Sequence, residues 1–322
     1  MLNILQVTFP FFALVLAGYV AAQRRLLPLD AIAGLNSFVL FFALPCMLYR
    51  FGAGTPIVQL LDATLFLTYL LCALLMVGFA IAISLNARIR WNDAAFGALV
   101  AAFPNTGFMG VPLLVALLGN AAAGPAIVTI ICDMVITTSL CIALSRLDGA
   151  DEHGAAKAAK SALRGVLTNP MPWAVLLGAL ASAFEFELIG PVGKTVGLLA
   201  DAASPVALFT IGAVLARSQI QVRESGHPPI LLRDFLPIAV TKLVVHPVLV
   251  LLVLLTAQQW GLALERFTIV SVVLVAALPS ASNVALLSER FGADTGRIAR
   301  IILVTTAAAF LTFSGAVALL HG

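Results

Sequence analysis

Apolar stretches long enough to cross a bilayer recur from one end of this chain to the other, each closed off by a short polar break. A helix needs about 20 apolar residues to span the hydrocarbon core. The stretches fall at roughly 3–23, 32–50, 61–86, 94–118, 124–145, 170–188, 196–216, 234–257, 267–288 and 298–320. Charged residues make up only 10% of the chain, against roughly 25% in an average soluble domain. A water-soluble ball could not cover so much apolar surface with so few charges. A soluble enzyme, a nucleic-acid binder and a disordered chain are thereby excluded. The pattern predicts an all-α polytopic membrane protein with ten spans, and no leftover apolar run is long enough for twelve.

Basic residues collect in cytoplasmic connections. The odd-numbered connections hold Arg24, Arg25, Arg88, Arg90, Arg146, Lys157, Lys160, Arg164, Arg217, Arg223, Arg233, Arg290, Arg297 and Arg300. The even-numbered ones hold only Arg50, Lys194 and Arg266. This bias predicts cytoplasmic odd connections and both termini outside. It also assigns the net charge of +3 to topology and anionic lipid rather than to an acidic substrate. The longest connection, 146–169, separates five spans in 1–145 from five in 170–322. With an odd number of spans per half, the second half enters the membrane from the opposite side, which is the arrangement of an inverted repeat. Cys46, Cys72, Cys132 and Cys141 lie in apolar runs without a CxxC pair, so neither a zinc site nor a disulfide framework is expected. The first apolar run lacks a basic n-region and a small-residue cleavage site, so it reads as a retained helix.

Proline positions match between the halves. Pro45 and Pro205 fall in the second and seventh spans, and Pro104 and Pro279 in the fourth and ninth. The fourth span contains Phe103-Pro104-Asn105-Thr106-Gly107, followed by Gly110 and Pro112, and the ninth contains Leu278-Pro279-Ser280-Ala281-Ser282-Asn283. Proline removes a backbone donor and clashes with the preceding turn, so both spans should be broken. At 1.5 Å per residue, both breaks come out near the bilayer midplane. Non-helical backbone survives there only inside protein or beside a water-filled cavity. Each break should open a new helix N-terminus whose free N–H groups and positive dipole end favour an anion. Asn105, Thr106, Ser280, Ser282 and Asn283 are the candidates to cap these ends or to bind ligand oxygens.

Two charges fall inside spans. Asp133 lies in the fifth, with Thr129 and Thr137 one turn to either side, and Lys242 lies in the eighth, with His246 one turn on. Intramembrane ions cost at least ~3 kcal/mol on insertion scales, so each needs a reason. In a functional reading Asp133 carries a coupling proton or binds a cation, and Lys242 attracts a substrate carboxylate. In a structural reading the two form an interhelical pair, or Lys242 snorkels to the headgroups. His246, without a second ligand at helical spacing, reads as a buried hydrogen-bonding group, and no metal site is expected.

The sequence resembles the auxin efflux carrier family of ten-helix transporters over essentially its whole length. The resemblance is carried by Phe42-Ala43-Leu44-Pro45, by Phe103-Pro104-Asn105-Thr106-Gly107 with Gly110 and Pro112, and by Leu278-Pro279. It implies two inverted five-helix repeats of the kind shared with bile-acid symporters and sodium/proton antiporters, with the fourth and ninth helices crossing at the substrate site. It implies a scaffold of helices 1, 2, 6 and 7, a mobile unit of helices 3–5 and 8–10, and an elevator-like movement. Asn105 matches the position where plant members use an asparagine for the substrate carboxylate. In the ninth span Ser280 follows the proline and the asparagine comes at Asn283, a departure from that pattern. The substrate site implied is Pro104, Asn105, Thr106, Gly107, Pro279, Ser280, Ser282 and Asn283, with Asp133, Lys242 and His246 as the coupling or charge-pair group.

The expected function is secondary active or facilitative transport of small organic anions in a bacterial inner membrane. The resemblance implies mono- and dicarboxylates, including malonate or malate, with auxin-like acids behind them. Phe9, Phe11, Phe12, Phe41 and Phe42 would either wall a site or face lipid. The alternative is a cation/proton antiporter of the same fold using Asp133, although the breaks contain no acidic residue. An intramembrane enzyme would need a nucleophile–base or metal constellation, and GxxxxGK[ST], HExxH and GxSxG are all missing from the sequence. No cofactor is expected beyond a coupling proton or sodium ion. The expected partners are the carboxylate, the bilayer and, through the scaffold helices, a second copy of the chain; no nucleic acid is expected.

Overall fold

Proline decides which apolar stretches run unbroken. The structure is a computed structural model and describes residues 2–86, 88–147, 167–224 and 231–321. Among these, every regular element is helical, and extended backbone pairs only at one isolated bridge. Apart from the single turn Ile57–Leu60 ahead of α3, the helices are α1 Leu2–Gln23, α2 Ala31–Ala53, α3 Ala63–Ser84, α4 Trp91–Ala102, α5 Thr106–Leu118, α6 Asn120–Leu144, α7 Pro170–Ala183, α8 Gly190–Glu224, α9 Leu232–Gln259, α10 Arg266–Ala276, α11 Val284–Arg290 and α12 Thr295–His321. Among the described residues seven stretches are long and apolar enough to cross a membrane, and α5, α7 and α10 are apolar but shorter. The expected fourth span is thus α4 plus α5, and the ninth is α10 plus α11. The sixth stops at Ala183, where Glu185 turns left-handed (φ 51°) and the Phe186 N–H bonds the Ala181 carbonyl at 2.8 Å. This is a C-terminal cap, and the apolar residues beyond it had stretched the sequence-based span. Lys157, Lys160 and Arg164 of the long connection lie outside the described residues.

Not every proline breaks its helix. Pro205 and Pro10 sit within continuous helices. Pro45, Pro112 and Pro247 each come two residues after a π-helical turn, at Val39–Ala43, Thr106–Gly110 and Thr241–Val245. The proline ring crowds the carbonyl four residues back, and that residue lies within the wider turn in all three cases. A fourth π turn, Cys132–Thr137, has no such proline and contains Asp133.

The chain divides into two compact units. The first comprises Met1–Asp62, Thr106–Val128 and Asn169–His227, with α1, α2, α5, the start of α6, α7 and α8. Its α1 and α8 meet backbone to backbone. A Cβ on Gly18 would stand 1.9 Å from the Phe209 carbonyl oxygen, and one on Gly212 would stand 1.8 Å from that of Val15. Small residues permit this close approach, and in lipid van der Waals packing is a main source of helix association. Tyr19 donates to Gln219 along the same seam. Gly212→Ala is therefore expected to cost about 2 kcal/mol or more through overpacking, read as a lower thermal midpoint in detergent; an unchanged midpoint would show that the helices separate freely. Phe9, Phe41 and Phe42 each expose more than half of their surface (61%, 56% and 58%), which favours the lipid-facing reading.

The second unit comprises Ala63–Asn105, Thr129–Thr168 and Pro228–Gly322, with α3, α4, the rest of α6, and α9 to α12. Arg297, counted above among the marks of the cytoplasmic side, is here a buried brace with 2% of its surface exposed. Its Nε donates to the Asp234 carbonyl at 2.6 Å and its Nη1 to the Asp93 carbonyl at 2.9 Å. The Asp294 side chain accepts from the Arg297 N–H at 2.9 Å, and Asp93 accepts from the Asp294 N–H at 2.7 Å. Gly97 leaves room for the guanidinium, since a Cβ there would lie 2.9 Å from Nη1. The start of α4, the start of α9 and the start of α12 are tied together in this way. Arg297→Ala is expected to cost about 3 kcal/mol, read as a loss of thermal midpoint. Lysine should restore only part of it, because a single ammonium cannot reproduce the planar fork.

Candidate functional site: the paired breaks of the second unit

The two proline breaks satisfy each other's backbone. Pro104 and Ser280 form the antiparallel bridge. The Asn105 N–H donates to the Pro279 carbonyl at 2.8 Å, and the Ala281 N–H donates to the Phe103 carbonyl at 3.0 Å. Neither donor is a proline, since proline has no N–H to give. The Ser280 N–H donates to Thr305 Oγ1 of α12 at 3.3 Å. Irregular backbone away from water must find such partners, and here each break supplies the other's.

This arrangement revises part of one expectation. Several of the N–H groups at the breaks are engaged within the protein, those of Asn105, Ser280, Ala281, Val284 and Ala285, and α11 has only seven residues. The side chains offer further groups. Asn105 Oδ1, Ser280 Oγ and Asn283 Oδ1 are buried and have no hydrogen-bond partner. Asn105 exposes 2% of its surface and Ser280 none. A buried polar atom without a partner costs about 1–3 kcal/mol, so three in two adjoining segments call for an explanation. A side-chain amide turned by half a turn presents its NH₂ in place of its oxygen. Two amides and a hydroxyl can therefore donate to an anionic oxygen.

Elsewhere in this unit lie the intramembrane charges. Asp133 is wholly buried. Tyr69 Oη donates to its Oδ2 at 2.8 Å, and Thr137 Oγ1 donates to its Oδ1 at 3.0 Å. Thr138 Oγ1 donates to its main-chain carbonyl at 2.8 Å. Lys242 is also wholly buried, so it does not snorkel. Its Nζ lies 2.8 Å from His246 Nδ1 and 3.0 Å from the carbonyl oxygen of Ala276, the last residue of α10. A cation at a helix C-terminus is favourably placed against the dipole. Among the described residues no ion pair joins Lys242 to Asp133. The two groups interact electrostatically without being in bonding contact.

Residues 3–317 match the family described as Membrane transport protein. The chain belongs to this family. It is the auxin efflux carrier family that the motif around Pro104 resembles. The chain is 29% identical over 318 residues, 98% of its length and 95% of the relative's, to a Rhizobium meliloti protein named "Putative malonate transporter". It is 27% identical over 291 residues, 89% of its length and 88% of the relative's, to "Uncharacterized transporter YfdV" of Escherichia coli K12. It is 24% identical over 298 residues, 91% of its length and 90% of the relative's, to an "Uncharacterized transporter" of Methanothermobacter thermautotrophicus. These names and the long apolar helices make the chain an integral membrane transporter rather than an enzyme.

Within this transporter the structure brings Pro104, Asn105, Pro279 and Ser280 into direct contact, with Asn283 three residues on. Ser282 is half-buried. Thr106 and Gly107 open α5, which packs with the first unit; Thr106 is buried with partners of its own, and Gly107 neighbours Leu44. Thr129 is buried and has partners of its own. Sequence reading missed Tyr69, Thr305 and the Ala276 carbonyl. Tyr69 is the one phenol in a largely apolar span, and a polar group in such a span needs a partner. That signal marks the residue without naming Asp133.

Proposed function

We propose that this transporter carries small carboxylates, malonate among them, and binds a carboxylate at the paired breaks through Asn105, Ser280 and Asn283. The observation that carries this reading is the trio of buried polar side-chain atoms without partners at the one place where two broken helices meet. Dry, satisfied protein would not leave them so. The name of the relative from Rhizobium meliloti supports malonate as the first acid to test. Neutral donors suit a carrier, because a site that binds its anion too tightly cannot release it.

The ten apolar stretches then read as two inverted five-helix repeats, with both termini outside a bacterial inner membrane. The division into units supports an elevator-like cycle. The first unit gathers α1, α2, α7 and α8, the expected scaffold, and the second gathers α3, α4, α9, α10, α11 and α12. The departure is Thr106–Val128, which joins the scaffold group. Asp133, a buried acid solvated by two hydroxyls with no cation in bonding contact, serves as the proton-carrying group.

A cation/proton antiporter is the second reading, favoured by that same buried carboxylate. Uptake into proteoliposomes separates the two. Labelled malonate, acetate and an indole acid are offered with and without imposed pH and sodium gradients. Malonate accumulation stimulated by a proton gradient is expected. Sodium or proton exchange with no carboxylate movement would replace the leading reading with the second.

A further inference from the structure

Lys242 and His246 have unused hydrogen-bonding capacity where α10 stops. An ammonium carries three N–H donors, and two of Lys242's are engaged, with His246 Nδ1 and the Ala276 carbonyl. With Nδ1 accepting from the ammonium, the imidazole proton sits on Nε2. That atom is buried and has no partner. The charged and titratable groups around the pair belong to the second unit. Asp133 acts on Lys242 electrostatically, yet both of its oxygens are engaged by Tyr69 and Thr137. Among the described residues no carboxylate lies within salt-bridge distance of the ammonium. A buried cation without an adjoining anion is costly, and a donor beside it without a partner adds to the cost. An anionic ligand relieves both.

Ala276 is three residues before Pro279, so its carbonyl lies within about 10 Å of the break even along extended chain. We infer that Lys242 and His246 form a cationic subsite for the second carboxylate of a dicarboxylic acid whose first carboxylate is held by Asn105, Ser280 and Asn283. This rests on the carboxylate reading above. Lys242 supplies the charge and His246 Nε2–H a directional donor. A monocarboxylate leaves the subsite empty, so the pair sets selectivity between mono- and dicarboxylic acids.

The test measures the affinities of purified transporter for malonate and for acetate, in the native chain, Lys242→Met and His246→Gln. The methionine change keeps length and removes charge. It should weaken malonate about 30-fold or more and leave acetate within about threefold. Glutamine, which keeps a donor, should weaken malonate less. Because the ratio of the two affinities is read within one variant, any misfolded fraction cancels. An unchanged malonate-to-acetate ratio in Lys242→Met would overturn the subsite, as would equal losses for both acids. A native chain that binds neither acid would instead overturn the carboxylate reading itself.

Discussion

Asn105→Ala is expected to weaken malonate binding by at least about tenfold while leaving the unliganded transporter as stable as before, or more so. The first part follows from losing a hydrogen bond to a charged group, worth about 1.5–3 kcal/mol. The second follows from the state of the side chain. Its oxygen is buried and unpartnered, so alanine removes a polar group that the folded protein does not satisfy. The Asn105 main-chain bond to Pro279 survives the substitution. Ser280→Ala should behave in the same way, because its hydroxyl is likewise unpartnered. Binding is read by calorimetry and stability by thermal melting of the unliganded protein. A residue that merely repaired the broken helix would show the opposite pattern, with stability falling and affinity unchanged.

Asp133→Asn should abolish the stimulation of malonate uptake by a proton gradient and keep malonate affinity within about twofold. Asparagine preserves shape and resembles the protonated acid, so Tyr69 and Thr137 keep a partner at one oxygen. The variant holds the group in one protonation state, and a cycle that moves a proton through Asp133 loses its dependence on pH. The titratable neighbours are Tyr69 on α3, Cys132 and Cys141 on α6, and Lys242 on α9. Of these, Tyr69 bonds the carboxylate directly, so Tyr69→Phe should shift the pH profile without removing it. Uptake by Asp133→Asn with the gradient dependence of the native chain would leave Asp133 a purely structural role.

Much of this is legible in the amino-acid sequence itself. Proline at Pro104 and Pro279 breaks helices for a local reason, and the missing N–H and the ring clash operate wherever the residue sits. Hydropathy located the long helices because lipid imposes one length on all of them. The failures share a different cause. Free N–H groups at the breaks were expected because a lone broken helix has them, but the paired breaks engage those of Asn105 and Ala281 with each other, and pairing is a property of the fold. The brace that Arg297 forms was not legible, because the position of a basic residue in sequence does not reveal two carbonyls waiting for its guanidinium. Lys242 and Asp133 lie more than a hundred positions apart, and nothing local says that Tyr69 takes one and the end of α10 the other.

The most direct measurement is an experimental density map of the transporter with malonate bound. A carboxylate within hydrogen-bonding distance of the Asn105 side chain and the Ser280 hydroxyl, with the Asn283 amide turned toward it, is the expected result. Malonate bound elsewhere, with Asn105, Ser280 and Asn283 all out of contact, would contradict the assignment of the paired breaks as the transport site.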